Sequence, residues 1–350
     1  MALRTTKVGE PPDPSQDVGV STMSDPLRFG VLGAANIAPQ ALIDPISKID
    51  SAVVTRVAAR DRGRAEEFAA TNGIPNVSDN YRDVIEADDV DVIYNPLPMH
   101  LHNEWTIAAL RAGKHVLCEK PFASNAAEAA DMVAVAAETE MLLGEAFHHW
   151  YHPAFQRILD VIESGTIGTV TRAEGYFNIE ISQPDIRWDY ATSGGSLMDL
   201  GCYPLAWVRH CVGEEPTVTS AEAVVGPPDK IDASTVAELG FGSGATARIE
   251  SSMISTGERD IRLEVHGTEG SLTMINPLAP QSGNLLTIRN AQGETSGEID
   301  AGSTYEHMCR AFVDHVRIGT PFPTSGADSI ANMTVIDSVY TAAGLPLRGL

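Results

Sequence analysis

The chain has 350 residues, with 24 Lys or Arg and 47 Asp or Glu, which gives a formal net charge of -23 at pH 7. A chain of this length usually forms more than one hydrophobic core, so two domains are expected. The negative charge disfavours nucleic-acid binding because a polyanion would be repelled over most of the surface. No apolar run is long enough to span a bilayer, so a membrane partner is not expected.

Residues 1–24 are rich in Gly, Pro, Ser and Asp and include the run GEPPDPSQD. This composition predicts a disordered tail, or an upstream extension before a natural start at Met23. Four cysteines form no CxxC pair and lie mainly in apolar surroundings: Cys118, Cys202, Cys211 and Cys309. Such cysteines suit buried thiols in a reducing compartment. Residues 1–24 also lack the apolar centre of a signal peptide, so we expect a cytoplasmic protein.

From residue 27 to residue 147, short apolar runs alternate with helical stretches. The predicted strands are LRFGVLG, VVTRVAA, DVIYNP, HVLCE and MLLGEAF. Parallel strands joined by helices of ordinary length are typical of α/β nucleotide-binding proteins. We therefore predict a Rossmann domain, a doubly wound parallel sheet, over residues 25–150.

After about residue 150 the apolar residues recur with period two, and the predicted strands follow one another through tight turns. They are TVTRAEGYFNIEI, TVAELGF, ATARIESSMI, DIRLEVHG and GSLTMI. This pattern predicts an α+β domain over residues 151–350 with an open, mainly antiparallel sheet and two closing helices. Such a sheet should present an apolar outer face, which normally needs a partner.

The first predicted strand leads into a Gly-rich loop, Gly33-Ala34-Ala35-Asn36-Ile37-Ala38. It approaches the pattern G-x-G-x-x-G/A, in which glycine permits a tight turn and a helix N-terminus faces a pyrophosphate. Ala35 stands in place of the middle glycine, so the phosphate should lie slightly farther out. Because the loop is the first of five alternating units, we favour a dinucleotide site over a plain strand-turn-helix joint. The candidate contacts are Gly33, Ala35, Asn36 and Ile37.

The second predicted strand ends at Ala59 and is followed by Arg60 and Arg64. An NAD-preferring site usually has an acidic residue here to bind the ribose hydroxyls. Two guanidinium groups instead suit a 2'-phosphate, which arginine binds through forked hydrogen bonds. NADP is therefore the predicted cofactor and NAD a possible one, the alternative being a solvated, charged helix start.

The run Glu119-Lys120-Pro121 follows the fourth of these strands, beside the crevice where such sheets bind ligands. Pro121 disfavours helix at Lys120 and should direct its side chain into that crevice. There the ammonium group could bond a substrate hydroxyl and lower the pKa of a neighbouring acid. The alternative is a surface ion pair at a strand end.

In GGSLMDLGCYPLAW, Asp199, Tyr203 and Trp207 recur every four residues, which places them on one face of a helix. A nearby ammonium group would make the ionised form of Tyr203 more accessible for acid-base work. The alternative is a buried tyrosine whose hydroxyl has a structural partner.

The segment FHHWYHP contains His148, His149 and His152, which could suggest a metal site. No carboxylate or thiol accompanies them, so we expect no metal and a substrate-lining or packing role. Arg187 and Trp188 precede a Gly-Gly turn and are further candidates for the substrate pocket.

The motifs GVLGAANIA, AARD, YNPLPMHLHNEW, AGKHVLCEKP, GEAF, GTIGTV and GGSLMDLGCYP occur in this order. Over residues 27–345 the chain resembles the Gfo/Idh/MocA family of NAD(P)-dependent oxidoreductases. It is most similar to the branch of dimeric dihydrodiol dehydrogenases, NADP-dependent D-xylose dehydrogenases and glucose-fructose oxidoreductases. The resemblance implies that Lys120 is the catalytic lysine and that Tyr203 is the catalytic acid-base residue. It also implies that Asp199 orients the substrate or the catalytic group.

The resemblance also implies a loop flanking the nicotinamide and ribose, formed by Pro96, Leu97, Pro98 and His102. Asn95-Pro96 and Met99-His100 depart from the family pattern there, as Ala35 does in the phosphate loop. Glu119 and Lys120 complete the predicted cofactor contacts. The predicted substrate contacts are His152, Arg187, Trp188, Asp199 and Tyr203.

These observations predict NADP(H)-dependent hydride transfer to or from a carbinol carbon of a carbohydrate, polyol or cyclic diol. By resemblance, we expect a homodimer or homotetramer formed through the second sheet. Two alternatives stay open, a non-catalytic NADP-sensing regulator and an NAD-dependent glycosidase of the same family. Neither the substrate nor the direction of reaction follows from the sequence.

Overall fold

The computed structural model describes residues 25–227, 230–257 and 259–350, so the prediction of a disordered tail over residues 1–24 lies outside the described residues. Two sheets organise this part of the chain, one of six strands and one of eight.

The first sheet is entirely parallel, in the order β3-β2-β1-β4-β5-β6. Because β1 lies between β2 and β4, the strand order reverses there and a crevice opens at the carboxyl ends. The predicted doubly wound sheet is confirmed. One strand, β3, was not predicted because two residues carry no periodic signal. The strands are β1 (Leu27–Leu32), β2 (Ala52–Ala58), β3 (Asn76–Val77), β4 (Val92–Asn95), β5 (His115–Cys118) and β6 (Leu143–Glu145).

Helices cover both faces of this sheet. A π-helical turn (Pro39–Ile43) precedes α1 (Asp44–Ile46), followed by α2 (Arg62–Asn72), α3 (Tyr81–Ile85), α4 (His102–Arg111) and α5 (Ala126–Thr139), with a 3-10 turn at Met99–Leu101. Helix α5 begins after Asn125, whose side chain accepts the backbone N–H of Glu128.

The second sheet has the order β14-β13-β12-β11-β7-β10-β9-β8, and β7 with β10 forms its parallel pair. The predicted, mainly antiparallel sheet is therefore confirmed. The mostly exposed strands β8 and β14 were not predicted because they lack an alternating apolar pattern, and β13 was missed as well. The strands are β7 (Val170–Asn178), β8 (Thr217–Gly226), β9 (Ile231–Gly240), β10 (Thr246–Ser252), β11 (Asp260–Gly267), β12 (Gly270–Ile275), β13 (Leu285–Asn290) and β14 (Gly293–Gly297).

The second half contains α6 (Pro153–Glu163), a π-helical turn (Leu197–Gly201) that runs into α7 (Cys202–Val212), α8 (Thr304–Ile318) and α9 (Ala327–Ala342). Short 3-10 turns lie at His148–Tyr151, Ile186–Trp188, Tyr190–Thr192 and Pro280–Ser282. Helix α7 packs closely on β7 at Gly175, where an added Cβ would lie 2.7 Å from the Pro204 side chain. This close approach fixes the position of the adjacent Tyr203.

Helix α8 departs from the linear division of the chain at residue 150. Its buried residues Met308 and Phe312 join the same core cluster as Phe29 and Tyr94 of the first sheet. An amphipathic helix packs wherever its apolar stripe finds a matching surface. Helix α8, although late in the chain, thus packs against the first sheet.

The outer face of the second sheet is charged, so the prediction of an apolar outer face was wrong. Arg172 pairs with Glu174 and Glu238, and Arg248 pairs with Glu238 and Glu250. The alternation of strand side chains puts these pairs on one face and the apolar core residues on the other.

A C-terminal clasp closes the second half, defined by Arg348, Asp232 and Tyr340. The Arg348 side chain is fully buried and donates to the Asp232 carboxylate at 2.7 Å and to the Gly194 carbonyl at 2.7 Å. The Tyr340 hydroxyl donates to the same carboxylate at 3.0 Å. Asp232 also accepts the backbone N–H of Leu197, so the clasp holds the start of the π-helical turn.

All four cysteines are buried and unpaired. Across the three described ranges, no helix combines the length and the apolar character needed to cross a bilayer.

Candidate active site

The ammonium group of Lys120 joins the two halves of the molecule. It follows β5 and donates to the Asp199 carboxylate at 2.9 Å and to the Asp199 carbonyl at 2.9 Å. Asp199 belongs to the π-helical turn before α7. The lysine of the first half and the acid of the second, both predicted as site residues, are therefore in direct contact.

Asp199 is also paired with Arg187, whose Nε donates to the carboxylate at 2.6 Å. Burial raises the pKa of Asp199, but the charges of Lys120 and Arg187 outweigh burial and lower it to about 2. Burial lowers the pKa of Lys120, and the Asp199 charge more than reverses this, so its pKa is raised. The predicted effect of the lysine on a neighbouring acid is confirmed, and all three groups stay charged near neutral pH.

Tyr203 lies beside this ion pair and is 4% exposed. The Lys120 Nζ is 5.0 Å from the centroid of the Tyr203 ring, and the Tyr203 hydroxyl is 3.2 Å from Nε2 of His148. Burial raises the pKa of Tyr203 well above its ordinary value. The expectation that the ammonium group makes the ionised phenol accessible was wrong for the free protein, because burial dominates.

His148 connects Tyr203 to helix α8. Its Nδ1 lies 2.8 Å from the Thr304 Oγ1, and its ring lies over the Tyr305 ring, with 4.0 Å between centroids. Burial, then the Lys120 charge, lowers the pKa of His148 to about 3, so the imidazole is neutral. The histidine-rich run draws attention to this residue, but its partners Tyr203 and Thr304 are 55 and 156 residues away, so no local motif reveals them.

Glu119 holds the ends of β4 and β5 together. Its carboxylate accepts the Tyr94 hydroxyl at 2.7 Å and the Lys120 backbone N–H at 3.2 Å. Burial raises the pKa of Glu119. Its oxygens thus have protein partners at the position where a cofactor contact was predicted.

His102 links the loops that follow β4 and β5. Its Nε2 is 2.8 Å from the Leu97 carbonyl and its Nδ1 is 3.0 Å from the Pro121 carbonyl. Burial lowers the pKa of His102 to about 4. Both ring nitrogens face protein carbonyls, so the imidazole positions the two loops.

The predicted dinucleotide loop lies at the carboxyl end of β1. Gly33 has φ +91°, and an added Cβ would lie 3.1 Å from the Leu97 Cδ2 atom, so the turn requires glycine. Leu97 and Pro96 are buried, and Pro98 is half-buried. Along the same loop, Asn36 is exposed and Ala35 and Ile37 are partly buried.

Arg64 reaches this loop and donates from Nη2 to the Ala34 carbonyl at 2.9 Å. Arg60 is exposed. Burial raises the pKa of the Tyr81 phenol, and the charges of Arg60 and Arg64 partly offset this rise. Among the described residues, neither arginine forms an ion pair with a carboxylate. Two uncompensated cations therefore border the loop.

Two predicted substrate residues, His152 and Trp188, have their polar atoms bound within the protein. His152 caps α6 by accepting the Ala154 N–H, and its Nε2 faces the Gly302 carbonyl. Trp188 is buried, and its indole N–H donates to the Ile181 carbonyl at 2.9 Å. Their polar atoms have structural partners, so we do not include either residue in the proposed substrate site.

No group of three or more His, Cys, Asp or Glu side chains is arranged to hold a metal ion in the described ranges. The first half, with its glycine turn and two bordering arginines, fits a phosphate-bearing dinucleotide. The second half contributes an acid and a phenol beside the lysine. This combination of fold and site defines an NAD(P)-dependent oxidoreductase.

Comparison with known proteins agrees. Residues 27–147 match the model of an oxidoreductase family with an NAD-binding Rossmann fold, and residues 155–273 match the GFO/IDH/MocA C-terminal domain. The chain belongs to the Gfo/Idh/MocA family of oxidoreductases. The resemblance found in the sequence is confirmed.

Three relatives illustrate the similarity. A D-xylose 1-dehydrogenase (NADP(+)) of Haloferax volcanii is 30% identical over 91% of this chain and 97% of that protein. A dTDP-3,4-didehydro-2,6-dideoxy-alpha-D-glucose 3-reductase of Streptomyces antibioticus is 34% identical over 91% and 97%. The crystal structure of KijD10, a 3-ketoreductase from Actinomadura kijaniata in complex with NADP and TDP-benzene, has a TM-score of 0.84 at 30% identity, over 91% of this chain and 98% of that one.

Proposed function

We propose that this chain transfers hydride between NADP(H) and a carbinol carbon of a sugar, polyol or cyclic diol. The observation that carries the proposal is the Lys120–Asp199 contact, which joins the crevice of the Rossmann half to the Tyr203 segment of the other half. Residues 25–150 would bind the dinucleotide, and residues 151–350 would supply most of the substrate site. The named relatives act on sugars and on a sugar nucleotide, which supports a carbohydrate-like substrate.

Lys120 is suited to bind the reacting oxygen. An ammonium group has three N–H donors, and Asp199 accepts two of them, through its carbonyl and its carboxylate. The third donor is left for a substrate oxygen. A fixed cation at that oxygen stabilises negative charge that develops there during reaction.

Tyr203 is suited to move the proton of the same oxygen. With its raised pKa it is a neutral phenol, which gives its proton to a carbonyl oxygen in reduction. In oxidation it takes the proton of a substrate hydroxyl while its own proton leaves to a neighbouring acceptor, and His148 Nε2 lies 3.2 Å from the phenol oxygen. Its burial excludes bulk water from this exchange. When bound, the nicotinamide supplies or accepts the hydride, and the chain supplies position and charge.

NADP is favoured over NAD by Arg60 and Arg64. Arg64 already lies against the Gly33-Ala34 turn, and neither guanidinium is neutralised by a described carboxylate. Arginine binds phosphate through charge-assisted hydrogen bonds. The residues of this crevice thus fit a dinucleotide with a 2'-phosphate, and the bound NADP of KijD10 supports this choice.

Arg187 is the proposed substrate contact. Its Nε and Nη1 bond Asp199 and Asp185, while its Nη2 makes no hydrogen bond to a residue that the structure describes. Its side chain is 36% exposed, so Nη2 is accessible to a substrate hydroxyl. The same Asp199 would then orient both Lys120 and Arg187.

We further propose a cytoplasmic homodimer or homotetramer formed through the outer face of the second sheet. That face carries rows of Arg and Glu, which can pair across two copies because each copy offers both signs. Light scattering after size-exclusion chromatography tests this assembly, and a monomer at micromolar concentration would contradict it.

The decisive experiment is a screen for NADP reduction over aldoses, polyols and dihydrodiols, repeated with NAD. We expect turnover with NADP that falls by about 10²- to 10⁴-fold in Tyr203→Phe and Lys120→Met. Lys114→Met is the matched control, because Lys114 bonds the Ala87 and Val90 carbonyls away from the site. Full turnover in both site variants would overturn the assignment.

Two outcomes favour the alternatives. Tight NADP binding without turnover on any carbinol, or on any ketone with NADPH, would indicate a sensor. Release of free sugar from a glycoside without net change in NADPH would indicate a glycosidase.

A further inference from the structure

The Tyr203 hydroxyl is the first member of a buried chain of three polar side chains. It lies 3.2 Å from His148 Nε2, and His148 Nδ1 lies 2.8 Å from Thr304 Oγ1. Tyr203, His148 and Thr304 are 4%, 3% and 0% exposed. Both nitrogens of the imidazole are thus engaged, one by the catalytic phenol and one by a hydroxyl of helix α8.

The chain of polar groups reaches the protein surface. The exposed Gln281 donates from its Nε2 to Thr304 Oγ1 at 3.4 Å. A hydroxyl oxygen accepts two hydrogen bonds and donates one. When His148 and Gln281 both donate to Thr304, the hydroxyl hydrogen of Thr304 needs a third acceptor. A water molecule that enters beside the exposed Gln281 side chain would supply it.

We propose that His148 and Thr304 are positioning residues that exchange the proton of Tyr203 with solvent, through the two neutral tautomers of His148. The proposal rests on the proposed function, because it concerns the proton of the same reaction.

The proton transfers balance in both directions. In oxidation, Tyr203 takes the proton of the substrate hydroxyl and passes its own proton to His148 Nε2. The Nδ1 proton of His148 moves to Thr304, and the former Thr304 proton moves to water. Reduction is the reverse and starts from the tautomer protonated at Nε2. The imidazole exchanges one N–H for the other and carries no net charge before or after.

The surroundings of His148 suit a neutral ring. Burial and the nearby Lys120 charge keep its pKa near 3, so a stable imidazolium is disfavoured. A relay by tautomer exchange needs only the neutral forms. It also gives a buried phenol, whose ionised form is costly, a partner for its proton.

The test compares Thr304→Val and His148→Gln with wild type. Valine keeps the shape of threonine without the hydroxyl, and glutamine can still contact Tyr203 but has no second tautomer. Thr334→Val is the matched control, because this exposed threonine bonds only the Ile330 carbonyl four residues earlier in its helix. The readout is the single-turnover rate of NADPH formation, measured in mixtures of H₂O and D₂O.

We expect the single-turnover rate to fall about 10-fold in Thr304→Val and about 100-fold in His148→Gln, with NADP affinity unchanged. In wild type the rate should depend on the deuterium fraction along a curve, because several protons move together. In Thr304→Val the dependence should become linear. A Thr304→Val enzyme with wild-type rate and an unchanged curve would overturn the relay.

A second measurement is independent of activity. In protein labelled with ¹⁵N-histidine, the His148 resonances, assigned by their loss in His148→Gln, should show a neutral ring near pH 7 whose tautomer ratio shifts in Thr304→Val. An imidazolium, or a ratio insensitive to Thr304, would refute the relay. Failure of wild type to turn over any carbinol would instead refute the proposed function, and the NMR result would still decide the proton arrangement.

Discussion

Two buried carboxyl groups have opposite pKa shifts in two regions of the molecule. Asp199 lies in the groove between the halves, and Glu145 lies in the interior. Asp199 is 8% exposed, and its oxygens receive Lys120 and Arg187. Glu145 is 1% exposed, and neither of its oxygens has a hydrogen-bond partner among the described residues. The pKa of Asp199 is lowered to about 2, while burial raises that of Glu145 to about 8.

Burial opposes the ionised form in both cases, so the partners decide the outcome. Near Glu145, the Ser329 hydroxyl reduces the rise in the pKa of Glu145, although it forms no complete hydrogen bond. The negative charge of Asp328 increases the rise. The site thus keeps Asp199 ionised through two cations, whereas Glu145 in the interior stays mostly protonated near neutral pH.

The largest expected effect is on the free energy of unfolding and concerns a third buried acid, Asp232 of the C-terminal clasp. Arg348→Gln leaves this fully buried carboxylate without its cation, which should lower the free energy of unfolding by about 3–5 kcal/mol. Urea unfolding at pH 7 measures it. Arg289→Gln, which breaks an exposed pair with Glu294, is the control. A loss below about 1 kcal/mol would show that the clasp is not held by its charges.

Asp199→Asn should affect activity next most strongly. It leaves Lys120 and Arg187 facing each other without an anion, and Lys120 loses the charge that raises its pKa. We expect kcat/KM to fall about 10²- to 10³-fold, since a preorganised donor is misplaced. Steady-state kinetics over the substrates found in the screen measure this. Asp185→Asn is the control, because Asp185 bonds Arg187 but not Lys120, and a fall of equal size there would assign the effect to Arg187 alone.

Glu145→Gln tests the second of the two buried carboxyl groups, the one whose pKa is raised. The pKa of Glu145 in the folded protein, about 8, lies above its ordinary value of 4.5. Between these values the folded state binds a proton that the unfolded state has lost, so stability should fall as pH rises through this window. The fall is on the order of a few kcal/mol, and the non-titrating glutamine should remove it.

Urea unfolding at about pH 5, 7 and 8.5 measures this difference. The exposed Glu138→Gln should keep the wild-type dependence. An identical pH slope in wild type and Glu145→Gln would show that Glu145 is ionised in the folded protein, contrary to the comparison.

The smallest effect is expected at the surface. Glu294→Gln breaks an ion pair with Arg289 in which both side chains are more than half exposed. Water screens such a pair, so the free energy of unfolding should change by less than about 1 kcal/mol and still less in high salt. A salt-independent loss above that size would mean that this hairpin is more shielded than its exposure indicates.

Much of the site could be predicted because its residues lie in local motifs. Gly33 begins a strand-to-helix turn, Lys120 follows a strand, and Asp199 and Tyr203 share one short segment. Local sequence carries the turn, the strand end and the helical spacing, and the doubly wound order then places the strand ends together. The alternating strands of the fold were recognisable for the same reason.

The remainder depends on contacts between distant segments. His148 and Thr304 are 156 residues apart, and no spacing rule relates them. Trp188 and His152 were predicted as pocket residues from their places in the sequence, and no local pattern could show that their polar atoms face the carbonyls of Ile181 and Gly302. The outer sheet face was misjudged because alternation tells which residues share a face, while the pairing of Arg with Glu across strands depends on register.

The C-terminal clasp also bears on the order in which the molecule can mature. Arg348 is synthesised after the segments it joins, which include Gly194 and the carboxylate that holds Leu197. On a ribosome, the nucleotide-binding half can fold while the loop before Asp199 still lacks its last anchor. Catalytic competence would therefore wait for Arg348, and a chain cut before Arg348 could hold a dinucleotide before it could use one.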